Sequence, residues 1–392
     1  MKELTLIACV LAAFAVWGAA PISVTDSLGD GKFKKVITFP EGTDGQGKLD
    51  AFVDRGLLAG AVALIVSPDG VEKCWKAGKA DIETGRPMTG DTMFWVASMT
   101  KYVTGIAVMI AQDDGKLNIA DPVSKHIPEF AKMRVETPAD TNGVSRLEPL
   151  TTPITIEQCL RHTAGFRYLT TAAESDHHGR LPLKDAVSLY TQIPLTYQPG
   201  TSTRYSNMGI NAAARVVEIV TGKTFGDFVR ERIFNPLGMK DSTFCLTKEQ
   251  HARLARPYRF VKPHEFRFCP WHSLRNYYTW PIERYYAEAG GGLFSSPADI
   301  AKFARMIIAG GVFDGKRIVS EEGVELSARR GLGCNPQRNG DWRKDGAMMT
   351  EFYFSRANKR ALVWMVQAFP HGDWHEHWNE YAKREMIKEL AK

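Results

Sequence analysis

Apolar positions along this 392-residue chain follow two rhythms, one helical and one alternating, and the changes between them outline its elements. Leu49, Phe52, Val53 and Leu57 keep helical spacing, with Gly56 and Gly60 marking the end, which predicts a helix where the folded body begins near Lys48. Residues 61–66 and 71–75 are β-rich runs either side of Ser67-Pro68-Asp69-Gly70, whose Pro and Gly favour a tight turn, so they predict a hairpin. After Thr92-Met93-Phe94-Trp95, the apolar series Val103, Ile106, Ala107 and Ile110 marks a helix that begins close to Ser98. Residues 113–286 are rich in helix and loop signals, including 212–220 and 226–233, with little strand patterning. Ser296-Pro297-Ala298-Asp299 opens another helix, with a capping Ser and a Pro in the first turn. Residues 348–354 and 360–369 form a second hairpin, and 376–390 close the chain as an amphipathic helix.

Strands at both ends with helices between them predict an α+β fold, an antiparallel sheet flanked by helices and built from both chain ends. The division read from the pattern is a leader at 1–20, a polar, Gly-rich linker at 21–45, a sheet domain formed by 46–112 with 287–392, and an inserted, mainly helical domain at 113–286.

Composition narrows the class. At 44% hydrophobic and 24% charged, the chain is an ordinary globular protein. Its net charge of +6 comes from Lys and Arg interleaved with Asp and Glu, with no dense basic block, which argues against a nucleic-acid partner. Lys2, an apolar run over residues 4–17 and then Gly18-Ala19-Ala20 are laid out like a secretory signal peptide, so the protein is expected to be exported, periplasmic or secreted, without stable membrane insertion once the leader is cut. Glu3 and Pro21 fit that layout poorly, which leaves an uncleaved anchor as the alternative. The five cysteines beyond the leader are odd in number and lack any Cys-x-x-Cys pair, so free thiols are expected in place of a zinc knuckle or disulfide framework.

Candidate chemistry begins at Ser98-Met99-Thr100-Lys101. Residues i and i+3 share a helix face, so Lys101 is placed to take a proton from the Ser98 hydroxyl, provided burial or a nearby positive charge depresses its pKa. Backbone N–H groups at the start of that helix would stabilise negative charge on a substrate oxygen. A second element, Tyr205-Ser206-Asn207, follows a Pro199-Gly200 turn and leads into a helix. A phenol beside a cationic lysine can ionise and shuttle a proton, and the Asn207 amide can both donate and accept. The plainer alternative is that Tyr205 packs and Asn207 caps the helix.

These two elements in this order resemble the serine β-lactamase and penicillin-binding protein superfamily, in particular its class C-like branch of β-lactamase-related hydrolases and family VIII carboxylesterases. The resemblance extends over Gly115-Lys116-Leu117, Asp121-Pro122-Val123, His162-Thr163-Ala164-Gly165, Asn235-Pro236-Leu237-Gly238-Met239 and Gly291-Gly292-Leu293. It implies a β-lactamase/transpeptidase-like fold with Ser98, Lys101 and Tyr205 catalytic and Asn207, Lys344, Gly346 and Ala347 binding substrate. The third family element, at the start of the strand beside the site, is matched best by Lys344-Asp345-Gly346-Ala347, where the resemblance has the N–H groups of Ser98 and Ala347 form an oxyanion hole and Gly346 admit the substrate. Asp345 stands where the family has a hydroxyl that helps bind a substrate carboxylate, and an anion there disfavours β-lactams relative to esters or amides.

The function expected is therefore an acyl-enzyme serine hydrolase acting on a small ester or amide, or a peptide, without cofactor or metal. The alternatives are a D-amino-acid or peptidoglycan peptidase, a β-lactamase or, from a different class, an inactive binding or regulatory relative. Oligomeric state is left open. His162 is assigned a structural role. The cluster His371-Gly372-Asp373-Trp374-His375-Glu376-His377 is read as at most an adventitious metal binder, and the aromatic segment 258–286 as either a loop bordering the cleft or a satellite core.

Overall fold

Seven antiparallel strands drawn from both ends of the chain form the central sheet of the computed structural model, which describes residues 24–27, 34–139, 141–168, 181–269, 287–369 and 378–392. From the N-terminal end come β1 (Gly60–Ser67), β2 (Gly70–Asp81) and β3 (Arg86–Pro87). From the C-terminal end come β4 (Asn335–Pro336), β5 (Trp342–Asp345), β6 (Glu351–Ser355) and β7 (Arg360–Met365). They lie in the order β4-β5-β6-β7-β1-β2-β3, the two halves joining where Val363 of β7 faces Leu64 of β1. The principal helices are α1 (Gly45–Asp54), α2 (Thr100–Asp113), α3 (Asn207–Thr221), α4 (Pro297–Ile308), α5 (Glu321–Arg330) and α6 (Trp378–Lys388).

The unbroken apolar run of β1 has a physical cause: both sheet faces are covered. Val62, Leu64 and Val66 point into a core shared with Tyr102 of α2 and Phe303 of α4, whereas Ala61, Ala63 and Ile65 point into a second core with Leu49 and Phe52 of α1 and Trp378 and Met386 of α6. The first core continues into the helical region through Ile210, Val216 and Phe228. Helix α2 lies in its middle and is buried all round from Thr100 to Ala111, which fits its almost wholly apolar sequence.

Local readings transfer well where side chains cap or turn. Ser296 caps α4 by accepting from Asp299 N at 3.4 Å, while the Asp299 carboxylate takes the N–H groups of Asp241 and Ser242 at 2.6 and 3.0 Å. Two expectations change. Residues 348–350 are not strand: Gly346–Met349 is a turn closed by Met349 N to Gly346 O at 2.9 Å, with Met349 at φ +63°. Within the aromatic segment, Tyr258–Lys262 and Glu265–Phe268 pair as a hairpin whose Phe260 packs on the α1/α6 side of the sheet, so this part is not a loop at the cleft. Inside the stretch read as linker, Val24–Ser27 pairs with Lys34–Ile37.

The leader, residues 270–286 and the cluster at 371–377 lie outside the described residues. Cys74, Cys159, Cys245, Cys269 and Cys334 are free thiols. Among the described residues no helix is long and apolar enough to cross a membrane.

Candidate active site

The entrance to α2 is a strained corner. Phe94–Trp95 pairs with Phe294–Ser295, and the chain then turns through Ala97, a non-glycine residue at φ +49°, into the single helical turn Ala97–Met99 that leads into α2. A left-handed conformation at such a residue costs on the order of 1 kcal/mol. Thr100 holds it in place: its hydroxyl donates to Ala97 O at 2.5 Å and accepts from Leu293 N at 3.2 Å. Ser98 is left half-buried at the corner, and Lys101, one turn on, is fully buried.

Around Lys101 the hydrogen bonds can be counted. Its Nζ lies 2.7 Å from Asn207 Oδ1, within hydrogen-bond reach of the Gly290 carbonyl, and 3.1 Å from Ser98 Oγ. The first two partners only accept. A neutral amine has two N–H bonds and one lone pair, so giving both protons to Asn207 and Gly290 aims the lone pair at Ser98, the one partner with a proton to give. Tyr205 completes the group: its hydroxyl lies 2.6 Å from Ser98 Oγ, and its ring lies under Lys101 Nζ at 4.5 Å and Lys344 Nζ at 5.2 Å from the centroid.

Tyr205-Ser206-Asn207 divides its labour. Ser206 is the cap of α3, accepting from Met208 N at 3.1 Å and donating to Arg167 O at 2.7 Å, which frees Asn207 for Lys101. The plain reading of Asn207 as the cap is thereby replaced. His162 lies behind Tyr205, ring centroids 4.5 Å apart, accepting from Ser206 N at 3.3 Å, a supporting position.

The site penalises positive charge. Burial first, and then the charge of Lys344, hold the Lys101 amine well below the ordinary lysine range, against the opposing pull of Glu288 and Asp345. Burial, Lys101 and Lys344 together push His162 down to about 3. Burial drives the Tyr205 phenol well above its usual value despite the hydrogen bond to Ser98. Burial therefore opposes the charged form of both the Lys101 amine and the Tyr205 phenol.

Lys344, Gly346 and Ala347 come to the same corner from β5 and the turn after it, not from the start of a strand. A Cβ on Gly346 would fall 2.4 Å from Val96 O and 3.3 Å from Ala97 Cβ, so glycine is required there by close packing against the residues preceding Ser98. Ala347 packs in the cluster that contains Trp95, Ala97 and Met348. Strand alternation sets Lys344 and Asp345 on opposite faces. Lys344 is buried toward Tyr205, while Asp345 borders a cavity of about 340 Å³ against α6, together with Arg343, Glu380, Lys383 and Arg384. Burial would raise the Asp345 carboxyl, but Lys344, Arg343 and Lys383 outweigh it and keep it below the usual range. Asp345 thus stays anionic but acts on the cleft through its field, partly offset by Lys344 at 3.8 Å.

Sequence reasoning missed Glu288 and the Gly290 carbonyl. Glu288 is buried, and its Oε1 accepts from Gly290 N at 2.9 Å. The available signal was an acid set between Ala287 and Ala289, one residue ahead of the run Gly290-Gly291-Gly292. No group of three potential metal ligands occurs among the described residues.

A family model described as Beta-lactamase matches residues 46–384. Protein Rv1367c of Mycobacterium tuberculosis is 32% identical over 289 residues, covering 72% of this chain and 70% of its own length. Esterase EstB of Burkholderia gladioli is 32% identical over 235 residues, 56% of each chain. Among solved structures, unliganded simvastatin synthase (LovD) of Aspergillus terreus superposes with a TM-score of 0.72 at 20% identity, over 88% of this chain and 97% of its own.

Proposed function

The chain belongs to the β-lactamase family, and from that premise we propose that it is a serine hydrolase that cleaves small esters or amides through an acyl-enzyme on Ser98. The observation that carries this reading is the set of contacts at Lys101, whose Nζ lies 3.1 Å from Ser98 Oγ while the Asn207 amide oxygen and the Gly290 carbonyl supply its other partners.

Ser98 Oγ attacks the carbonyl carbon as its proton passes to Lys101 Nζ. The N–H groups of Ser98 and Ala347 take up the negative charge on the carbonyl oxygen. Collapse breaks the bond to the leaving oxygen or nitrogen, which takes a proton from the Tyr205 hydroxyl, and the Lys101 ammonium restores that proton to Tyr205. Water then attacks the acyl carbon, giving its proton back through the same groups, and releases the acid and Ser98.

Similarity to an esterase supports ester substrates. The placement of Asp345 makes discrimination against substrate carboxylates a matter of field and not contact, so it is expected to be small. The leader pattern supports export to the periplasm or medium as part of the same reading, tested by fractionating cells that express the full chain.

A fluorophosphonate probe followed by intact mass measurement is expected to add one label to the wild type and none to Ser98→Ala. Equal labelling of both would remove Ser98 as the nucleophile. A panel of short p-nitrophenyl esters, D-Ala peptides and nitrocefin then ranks the substrate classes, and fastest turnover of nitrocefin would overturn the ester assignment.

A further inference from the structure

Glu288 is a buried acid that the proton path above does not use, 6% exposed in a strap that crosses the entrances of α2 and α3. Each peptide of the strap is tied down. Ala289 N donates to Asn211 Oδ1 at 3.1 Å, Ala289 O accepts from Thr104 at 2.8 Å, and Gly291 O accepts from Trp95 Nε1 at 2.6 Å. Between those ties sits Gly290, whose carbonyl holds Lys101 and whose N–H is held by Glu288 Oε1.

We propose, resting on the reading of Ser98 and Lys101 given above, that Glu288 is a positioning residue: its carboxylate fixes the Gly290 peptide against Lys101 and places a negative charge beside that amine. The packing leaves little alternative. A Cβ on Gly290 would lie 2.6 Å from Glu288 Oε1 and 2.8 Å from Asn207 Cγ, so the carboxylate and the amide of Asn207 stand side by side, each next to a partner of Lys101. The carboxylate acts in two ways. By orienting the Gly290 carbonyl it takes one N–H of Lys101 and so aims the lone pair. By its charge it works against burial and Lys344, limiting how far the amine is depressed. Among the described residues, the charged and titratable groups facing this pocket include Lys101 from α2, Tyr205 from the lead-in to α3, Lys344 and Asp345 from β5, and Tyr168 and His162 from the loops beside it.

Charge and orientation are separable by substitution. Glu288→Gln keeps an oxygen for Gly290 N but removes the charge, whereas Glu288→Ala removes both. The readout is the rate at which a fluorophosphonate labels Ser98 from about pH 4 to about pH 9, with thermal melting to establish that each variant is folded. Without the carboxylate the Lys101 ammonium loses a stabilising partner and gives up its proton at lower pH. The acid limb of Glu288→Gln is therefore expected to move down by about one pH unit or more. Glu288→Ala should shift the same way and in addition lose rate on the plateau, with the Gln variant recovering at least about tenfold of that loss. Glu157→Gln, at a surface pair with Arg161 and Arg330, should superimpose on the wild type.

An acid limb in Glu288→Gln that matches the wild type or moves upward, a Gln variant as slow as the Ala variant, or a shift in the Glu157 control would each overturn the proposal. Absence of Ser98 labelling in the wild type would instead strike the proposed function itself.

Discussion

Two lysines in this protein are both almost wholly buried, Lys101 at 0% and Lys383 at 2% exposed, and are surrounded by opposite chemistry. Lys101, at the entrance of α2, meets a carbonyl, an amide oxygen and a hydroxyl, with Lys344 nearby. Lys383, on α6, meets the carboxylates of Glu351 and Glu380, the latter at 2.7 Å, and Glu351 is also approached by Arg343 at 3.5 Å. Burial pushes the Glu351 carboxyl up, against the pull of Lys383 and Arg343. The contrast teaches that burial does not by itself decide what surrounds an amine: Lys383 has two carboxylates in contact, whereas Lys101, among the described residues, has only uncharged oxygens in contact.

The comparison breaks most visibly by exchanging each lysine for Met. Lys101→Met is expected to lower kcat/KM for a p-nitrophenyl ester by about 10³-fold or more, with little change in urea stability. Lys383→Met should do the reverse, costing about 3 kcal/mol of stability by leaving the buried Glu351 with only the more distant Arg343 as a cationic partner, with most of that restored in Lys383→Met/Glu351→Leu. If the double variant is no more stable than the single, the pair is not what Lys383 contributes.

A smaller effect is expected at Tyr205→Phe. It removes the proton donor to the leaving group but leaves the Lys101 lone pair in place, so kcat should fall by about 10²-fold, more for amides than for activated aryl esters. Equal losses for both leaving groups would argue against that role.

The effect that is smallest at any one pH step tests whether the first region disfavours positive charge in general. His162 has its folded pKa depressed to about 3 from 6.5, so the unfolded chain binds a proton first as pH falls. Stability should therefore be fully present above about 6.5 and decline toward about 3, by up to roughly 1 kcal/mol per unit for this partly exposed ring. Urea titrations at several pH values should show that part of the slope vanish in His162→Phe, and an unchanged slope would assign it to other groups.

Much of the scaffold was legible because its signals are local. The hairpin around Ser67-Pro68-Asp69-Gly70, the cap at Ser296 and the start of α2 near Ser98 each follow from residues within a few positions of one another. The hairpin at Tyr258–Phe268 was missed for the opposite reason, since its aromatic strands suit a loop or a strand equally until the sheet face beneath them is known.

The same division runs through the site. By itself the sequence determined that Ser98 and Lys101 are neighbours, because i and i+3 on a helix lie together wherever that helix goes, and it pointed to Tyr205 and Asn207 as candidates through their order and resemblance. Only the tertiary structure decided that burial opposes charge on both Lys101 and Tyr205, that Ser206 and not Asn207 caps α3, and that Asp345 borders the cavity against α6. Only it brought Gly290, 189 residues along the chain from Lys101, to the amine, with Glu288 behind it. The physical reason is range: proximity within a turn is fixed by backbone geometry, whereas burial, field and the choice of face depend on which distant elements pack together.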